Sequence, residues 1–205
     1  MIEFNKKAIE DLEHLKKINL INSASGYKSC NLIGTKSNSG QSNLAIFSSV
    51  IHYGSSPAIY GFVLRPTTVK RDTYEHIKET TVYTINSVFN DIIEDAHHTS
   101  AKYPKEVSEF TKTHFEEEYK NNFYAPFIKN TPIQIAMKYL EEYYIKANGT
   151  ILILGEIEKL YVNESILDED FFIDLSKARI AAINGLDAYT VPKRNIRLPY
   201  QRIKK

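Results

Sequence analysis

The stretch SCNLIGTKSNSGQSNLAIFSSVIHY, residues 29–53, decides the architecture. Asn38-Ser39-Gly40-Gln41 supplies the small polar residues of a turn between two extended arms, so the segment reads as a β-hairpin. In the second arm Leu44, Ile46 and Val50 alternate with Ala45, Phe47 and Ile51, which makes both faces apolar. A sheet with one face in water would alternate apolar with polar residues. A strand that is apolar on both faces belongs in a closed or sandwiched sheet, and a barrel is the economical arrangement. Ser55-Ser56-Pro57 interrupts the run, and AIYGFVLR, residues 58–65, forms another such strand.

Outward from this core, TVYTINSV (81–88) is a further strand. Residues 133–162, IQIAMKYLEEYYIKANGTILILGEIEKLYV, form a long antiparallel ribbon around the Asn148-Gly149 turn. Asp72 stands three residues before Glu75 with capping-box spacing, so a helix is expected from about Thr73 through Tyr74 and Ile77. Residues 90–114 read as helices with a turn at Tyr103-Pro104, and a short helix is expected near Leu175. At the N-terminus Ile9, Leu12, Leu15 and Ile18 recur every three residues, a helical arm over residues 1–22 that covers another element. The chain ends in a basic tail, residues 190–205. The expectation is one domain over residues 1–205, mainly β with peripheral helices (α+β).

Composition narrows the function classes. A chain of 205 residues with 42% hydrophobic and 25% charged side chains can bury a core without staples. The net charge of +1 gives no general basic field for nucleic acid, so any anion site must be local. Cys30 is the single cysteine, which excludes an intramolecular disulfide framework and suits a reducing compartment. The first residues carry charges throughout, unlike a signal peptide, and no run approaches the roughly 20 apolar residues of a membrane span. The expected location is the cytoplasm, with neither nucleic acid nor membrane as partner.

The candidate sites are few. RPTTVKRDTYEHIKET, residues 65–80, gathers Arg65, Lys70, Arg71 and threonines where a strand gives way to a helix. It is either a solvated connection or a docking place for a phosphate, held by Arg71, Thr73 and Arg65. Ser48 and Ser49 are hydroxyls inside an apolar run, and burying one without a partner costs roughly 1–3 kcal/mol. They therefore bond either backbone or a polar ligand. His97 and His98 diverge by about 100° on a helix and lack metal-ligand spacing, so no metal is expected. They belong to a helix surface, or to a polar wall with Thr99, Ser100 and Lys102. No GxGxxG, GxxxxGK[ST] or GxSxG motif is present.

The order of these pieces resembles the flavin reductase-like, FMN-binding split-barrel family, flavoredoxin-type members included. The matching residues are Asn43, Ala45 and Ser48 on a strand; Pro57 in a turn; Arg71, Asp72, Thr73 and Ile77 at a helix start; Ile85-Asn86 at a strand end; and Thr99-Ser100 followed by Glu109-Phe110. The motifs span about residues 27–110. His76 stands where the family usually has Asn, and Ser56-Pro57 replaces a common Pro-Pro.

The resemblance implies a six-stranded antiparallel split β-barrel that forms a homodimer with FMN near the subunit interface. Arg71 and Thr73, with Ser48, Ser49 and Arg65, would hold the FMN phosphate. Asn43, Leu44 and Ala45 would run beside the isoalloxazine ring, and His98, Thr99, Ser100 and Lys102 would make outer contacts. The activity implied is an NAD(P)H-dependent flavin reductase passing hydride from NADH or NADPH to flavin N5. The alternative is an FMN-binding electron carrier without its own nicotinamide reaction.

Overall fold

A computed structural model describes residues 1–104, 106–194 and 196–201. Its strands are β1 (Lys28–Ser29), β2 (Asn31–Lys36), β3 (Ser42–Phe47), β4 (Ile51–Ser55), β5 (Ala58–Leu64), β6 (Val82–Ser87), β7 (Glu117–Glu118), β8 (Phe127–Ile128), β9 (Ile133–Ile145), β10 (Thr150–Val162), β11 (Ala182–Asn184) and β12 (Ala188–Thr190). The helices are α1 (Lys6–Glu10), α2 (His14–Ala24), α3 (Asp72–Thr80) and α4 (Ile93–His98). The main sheet is antiparallel in the order β3-β2-β6-β9-β10-β5-β4.

That order forces the sheet to curl. Strands β3 and β4 lie at opposite edges yet are joined by residues 48–50 alone. Four residue steps reach at most about 14 Å, whereas a flat seven-stranded sheet is roughly 29 Å wide. The edges must therefore approach without pairing, which is a split barrel. At the seam Ser49 replaces a missing ladder bond: its Oγ accepts from the Val63 N–H and donates to the Val63 carbonyl, both at 3.1 Å. The main sheet counts seven strands because the arm read as continuous over 42–53 breaks at Ser48–Val50 and its halves go to the two edges.

Across β2, β3 and β6 both sheet faces are covered, as the two-sided apolar pattern requires, while β4 and the far end of β9 stay largely exposed. Ile33, Phe62, Tyr83, Ile85, Met137 and Ile153 fill the barrel interior, and Ile77 of α3 packs into the same cluster. On the other side Leu32 and Leu44 pack with Val88, Ala96, Phe110 and Ile183, so α4, the turn at Glu109–Thr111 and β11 cover that face. Phe123, Ala125 and Phe127 cover Ala136 further along. The Asn148-Gly149 turn joins β9 to β10 as expected, with Gly149 at φ +74.

Three local expectations are corrected. The N-terminal arm is two short helices with no buried residue, and Leu15 is 63% exposed. Steps of three advance 300° around a helix, so such a stripe drifts by about 60° per step and cannot stay on one face. The capping box at Asp72 does not form: Arg71 is the N-cap residue, Asp72 is the first helical residue, and Glu75 instead pairs with Lys70 at 2.9 Å. Residues near Leu175 form a turn, because Asp174 accepts from the Ser176 N–H at 3.0 Å and competes with helical pairing.

Of the basic tail, Asn195 and residues 202–205 lie outside the described residues. Arg194 pairs with Asp174 at 3.0 Å and Arg197 with Asp170 at 2.6 Å, so the tail is pinned by an acidic loop. Among the described residues, no helix is long and apolar enough to cross a membrane.

Candidate functional site

The site is built on the N-terminus of α3. Arg71 is extended, at φ −129 and ψ 103, and no side chain caps the helix. The first-turn N–H groups lack intrahelical partners and the dipole adds partial positive charge, which together favour an anion. Beside them Nε of Arg71 is buried with no hydrogen-bond partner. A buried donor left unpaired costs about 1–3 kcal/mol, so an acceptor arriving there is stabilising. Asp72 Oδ1 is likewise buried without a partner, and its negative charge opposes an anion. Arg71 is the adjoining cation in sequence, and Lys70 is already paired with Glu75.

A buried hydrogen-bond chain fixes the donor state of Thr73. Asn43 on β3 donates through Nδ2 to Thr73 Oγ1 at 3.0 Å and to Thr35 Oγ1 on β2 at 3.3 Å. With its oxygen accepting from Asn43, the Thr73 hydroxyl keeps its proton for another acceptor. Thr35 Oγ1 lies 3.3 Å from His76 Nδ1. Sequence reading singled out Asn43 and Thr73 separately. It missed Thr35, whose place on a short hairpin strand carried no distinguishing pattern.

The free edge of β3 is held by the Glu109 turn. The Leu44 N–H donates to Glu109 Oε2 at 3.0 Å, and Ser42 Oγ lies 3.2 Å from Ser108 Oγ. Ser42 also bonds to Glu117. Burial raises the Glu109 pKa, the Leu44 N–H and its own backbone N–H oppose that rise, and Asp72 adds to it. Glu109 was noted only as part of a motif, and its contact with Leu44 was not anticipated.

The other expected residues sit as follows. Ser49 bonds to Val63, two residues before Arg65, and Ala45 and Ser48 are half-buried along β3 and the seam. His98 bonds to the Tyr103 hydroxyl, and Thr99 and Ser100 donate to the α4 carbonyls of Ala96 and His97 at 2.8 and 2.7 Å. Lys102 is exposed. His97 turns away to Tyr189 at 2.8 Å, so the two histidines serve different neighbours. Two recesses, of about 410 and 230 Å³, include none of these residues.

FMN would offer Arg71 Nε, the Thr73 hydroxyl and the α3 amides a phosphate acceptor, though not Asp72 Oδ1, itself an acceptor. Its ring would lie along β3, where Leu44 has spent its outward N–H on Glu109 and strand alternation makes Ile46 the next outward donor.

Residues 28–178 match the flavin reductase like domain. A solved structure from Shewanella frigidimarina NCIMB 400, described as a candidate flavin reductase with a split barrel domain, is 43% identical. It superposes with a TM-score of 0.94 over 98% of this chain and 100% of that one. Nitrilotriacetate monooxygenase component B from Bacillus cereus, 13% identical, reaches a TM-score of 0.84 over 97% of this chain and 98% of its own. Flavoredoxin of Desulfovibrio vulgaris (Miyazaki F), 19% identical, reaches 0.75 over 87% and 94%. The last two show likeness of fold.

Proposed function

The chain belongs to the flavin reductase-like family, and from that premise we propose that it is an FMN-binding oxidoreductase that accepts hydride from NADH or NADPH. The observation that carries this reading is the buried, partnerless Arg71 Nε beside an uncapped helix start. FMN, when bound, supplies the hydride-accepting ring and the redox chemistry. Arg71 and Thr73 hold the phosphate and thereby fix where the ring can lie. Asn43 sets the direction of the Thr73 hydroxyl proton. The β3 backbone would orient the ring when FMN is bound. Arg65, Ser48 and Ser49 flank the phosphate end, and His98, Thr99, Ser100 and Lys102 form the outer wall.

A second copy of the chain completes the site in this reading. The edge strand β4 leaves Ile51 52% and Tyr53 48% exposed on one face. A homodimer with FMN near its interface covers that face, in the cytoplasm where a buried free thiol stays reduced. Sedimentation of the purified protein should give twice the chain mass.

The likeness in fold to flavoredoxin favours a second reading, an FMN electron carrier without its own nicotinamide reaction. One experiment separates the two. Purified protein should be yellow, or become so with FMN, and adding NADH or NADPH without air should bleach the visible flavin band. Yellow protein that neither nucleotide bleaches is a carrier. Protein that stays colourless with added FMN refutes both.

A further inference from the structure

We propose that Glu109 is a positioning residue that clips the free edge of β3 and so sets the strand against which the flavin ring is held. This rests on the flavin reading above, but the clip has a test of its own. Among the described residues strand β3 pairs only with β2, so the outward groups of this edge have no strand neighbour there. Unsupported edges fray and recruit other chains unless something covers them. Here the cover is specific: Glu109 Oε2 takes the Leu44 N–H at 3.0 Å, and Ser108 Oγ meets Ser42 Oγ at 3.2 Å, one strand repeat earlier. Two consecutive residues of one short turn thus grip two outward positions of one strand.

The consequence reaches the ligand through geometry. Asn43, between the two gripped positions, is the residue that orders Thr73 at 3.0 Å. The Asn43 side chain is tied separately to Thr35 Oγ1 at 3.3 Å, so the clip acts on the backbone beside the ring rather than on the phosphate donor. Glu109 points at Leu44 and, by this reading, touches no flavin atom. Its loss should weaken riboflavin and FMN alike, unlike loss of a phosphate ligand. Asp72 on α3 is the ionisable group that faces it, and the Arg71 guanidinium lies next in sequence.

The test compares Glu109→Ala, which removes the acceptor, with Glu109→Gln, which keeps a neutral carbonyl in its place. Without any flavin, amide exchange at Leu44 should be faster by about tenfold in the Ala variant, with the Gln variant between it and the parent. In flavin titrations, Glu109→Ala should weaken riboflavin and FMN by equal factors, and Glu109→Gln should recover part of the loss. Unchanged exchange at Leu44 in the Ala variant overturns the clip. Faster exchange with unchanged flavin affinity overturns its positioning role. Failure of the unaltered chain to bind flavin overturns the functional reading and the flavin half of this inference, while Leu44 exchange still decides the clip.

Discussion

Replacing Arg71 by Ala should separate the two flavins. The Arg71 Nε is buried and partnerless, so the donor gains a partner only when an anion arrives. A hydrogen bond to a charged group contributes roughly 1.5–3 kcal/mol, which corresponds to about ten- to 150-fold in Kd. The guanidinium as a whole is only half-buried, and screening by solvent and salt favours the low end, about tenfold. Riboflavin has no phosphate and should bind the variant as it binds the parent. Arg71→Lys keeps the charge without the planar donor fork and should fall between. Quenching of free-flavin fluorescence by apoprotein measures all of these Kd values. Equal losses for riboflavin and FMN would refute the phosphate assignment, because the side chain would then act on the shared ring or on the fold.

Other consequences are open to simpler measurements. The Tyr83 hydroxyl is buried without a partner, so Tyr83→Phe should leave urea stability unchanged or raise it by about 1 kcal/mol; a clear loss would reveal an unseen partner. A Cβ on Gly155 would meet that hydroxyl and lie 2.9 Å from the Lys138 carbonyl. Gly155→Ala should therefore cost about 1–3 kcal/mol, and Tyr83→Phe in the same chain should restore part of it; full additivity in urea melts would contradict the contact. Burial pushes the Cys30 thiol up to about 12; since the thiolate is the reactive form, an aromatic disulfide should label folded protein far more slowly than protein in urea. Comparable rates would place Cys30 outside the core.

Glu109 gives a pH dependence of definite sign. Its carboxyl is raised above the usual range by burial, so the folded chain binds that proton more tightly than the unfolded one. The resulting stability is fully present below the ordinary carboxylate range and is lost as pH rises through the raised value. Glu109→Gln should flatten that fall in urea unfolding across pH, and identical slopes for parent and variant would rule the group out.

Much of this molecule was legible in one dimension. Apolar residues on both faces of residues 44–51 demanded a sheet covered on both sides, since exposing either face would forfeit its burial. Asn148-Gly149 announced the β9–β10 turn through its tolerance of positive φ. Arg71 and Thr73 stood out because their chemistry is local to a helix start. What the sequence could not show depends on distance through space. Pairing of β3 and β4 with opposite edges follows from the whole ladder order, to which the three residues between them give no clue. The Asn43, Thr35, His76 and Thr73 chain joins positions up to 41 apart, and the Leu44–Glu109 contact spans 65. Such contacts form only when the curled sheet brings its free edge against α3 and the Glu109 turn, so the tertiary structure alone decides which polar groups are satisfied and which await a ligand.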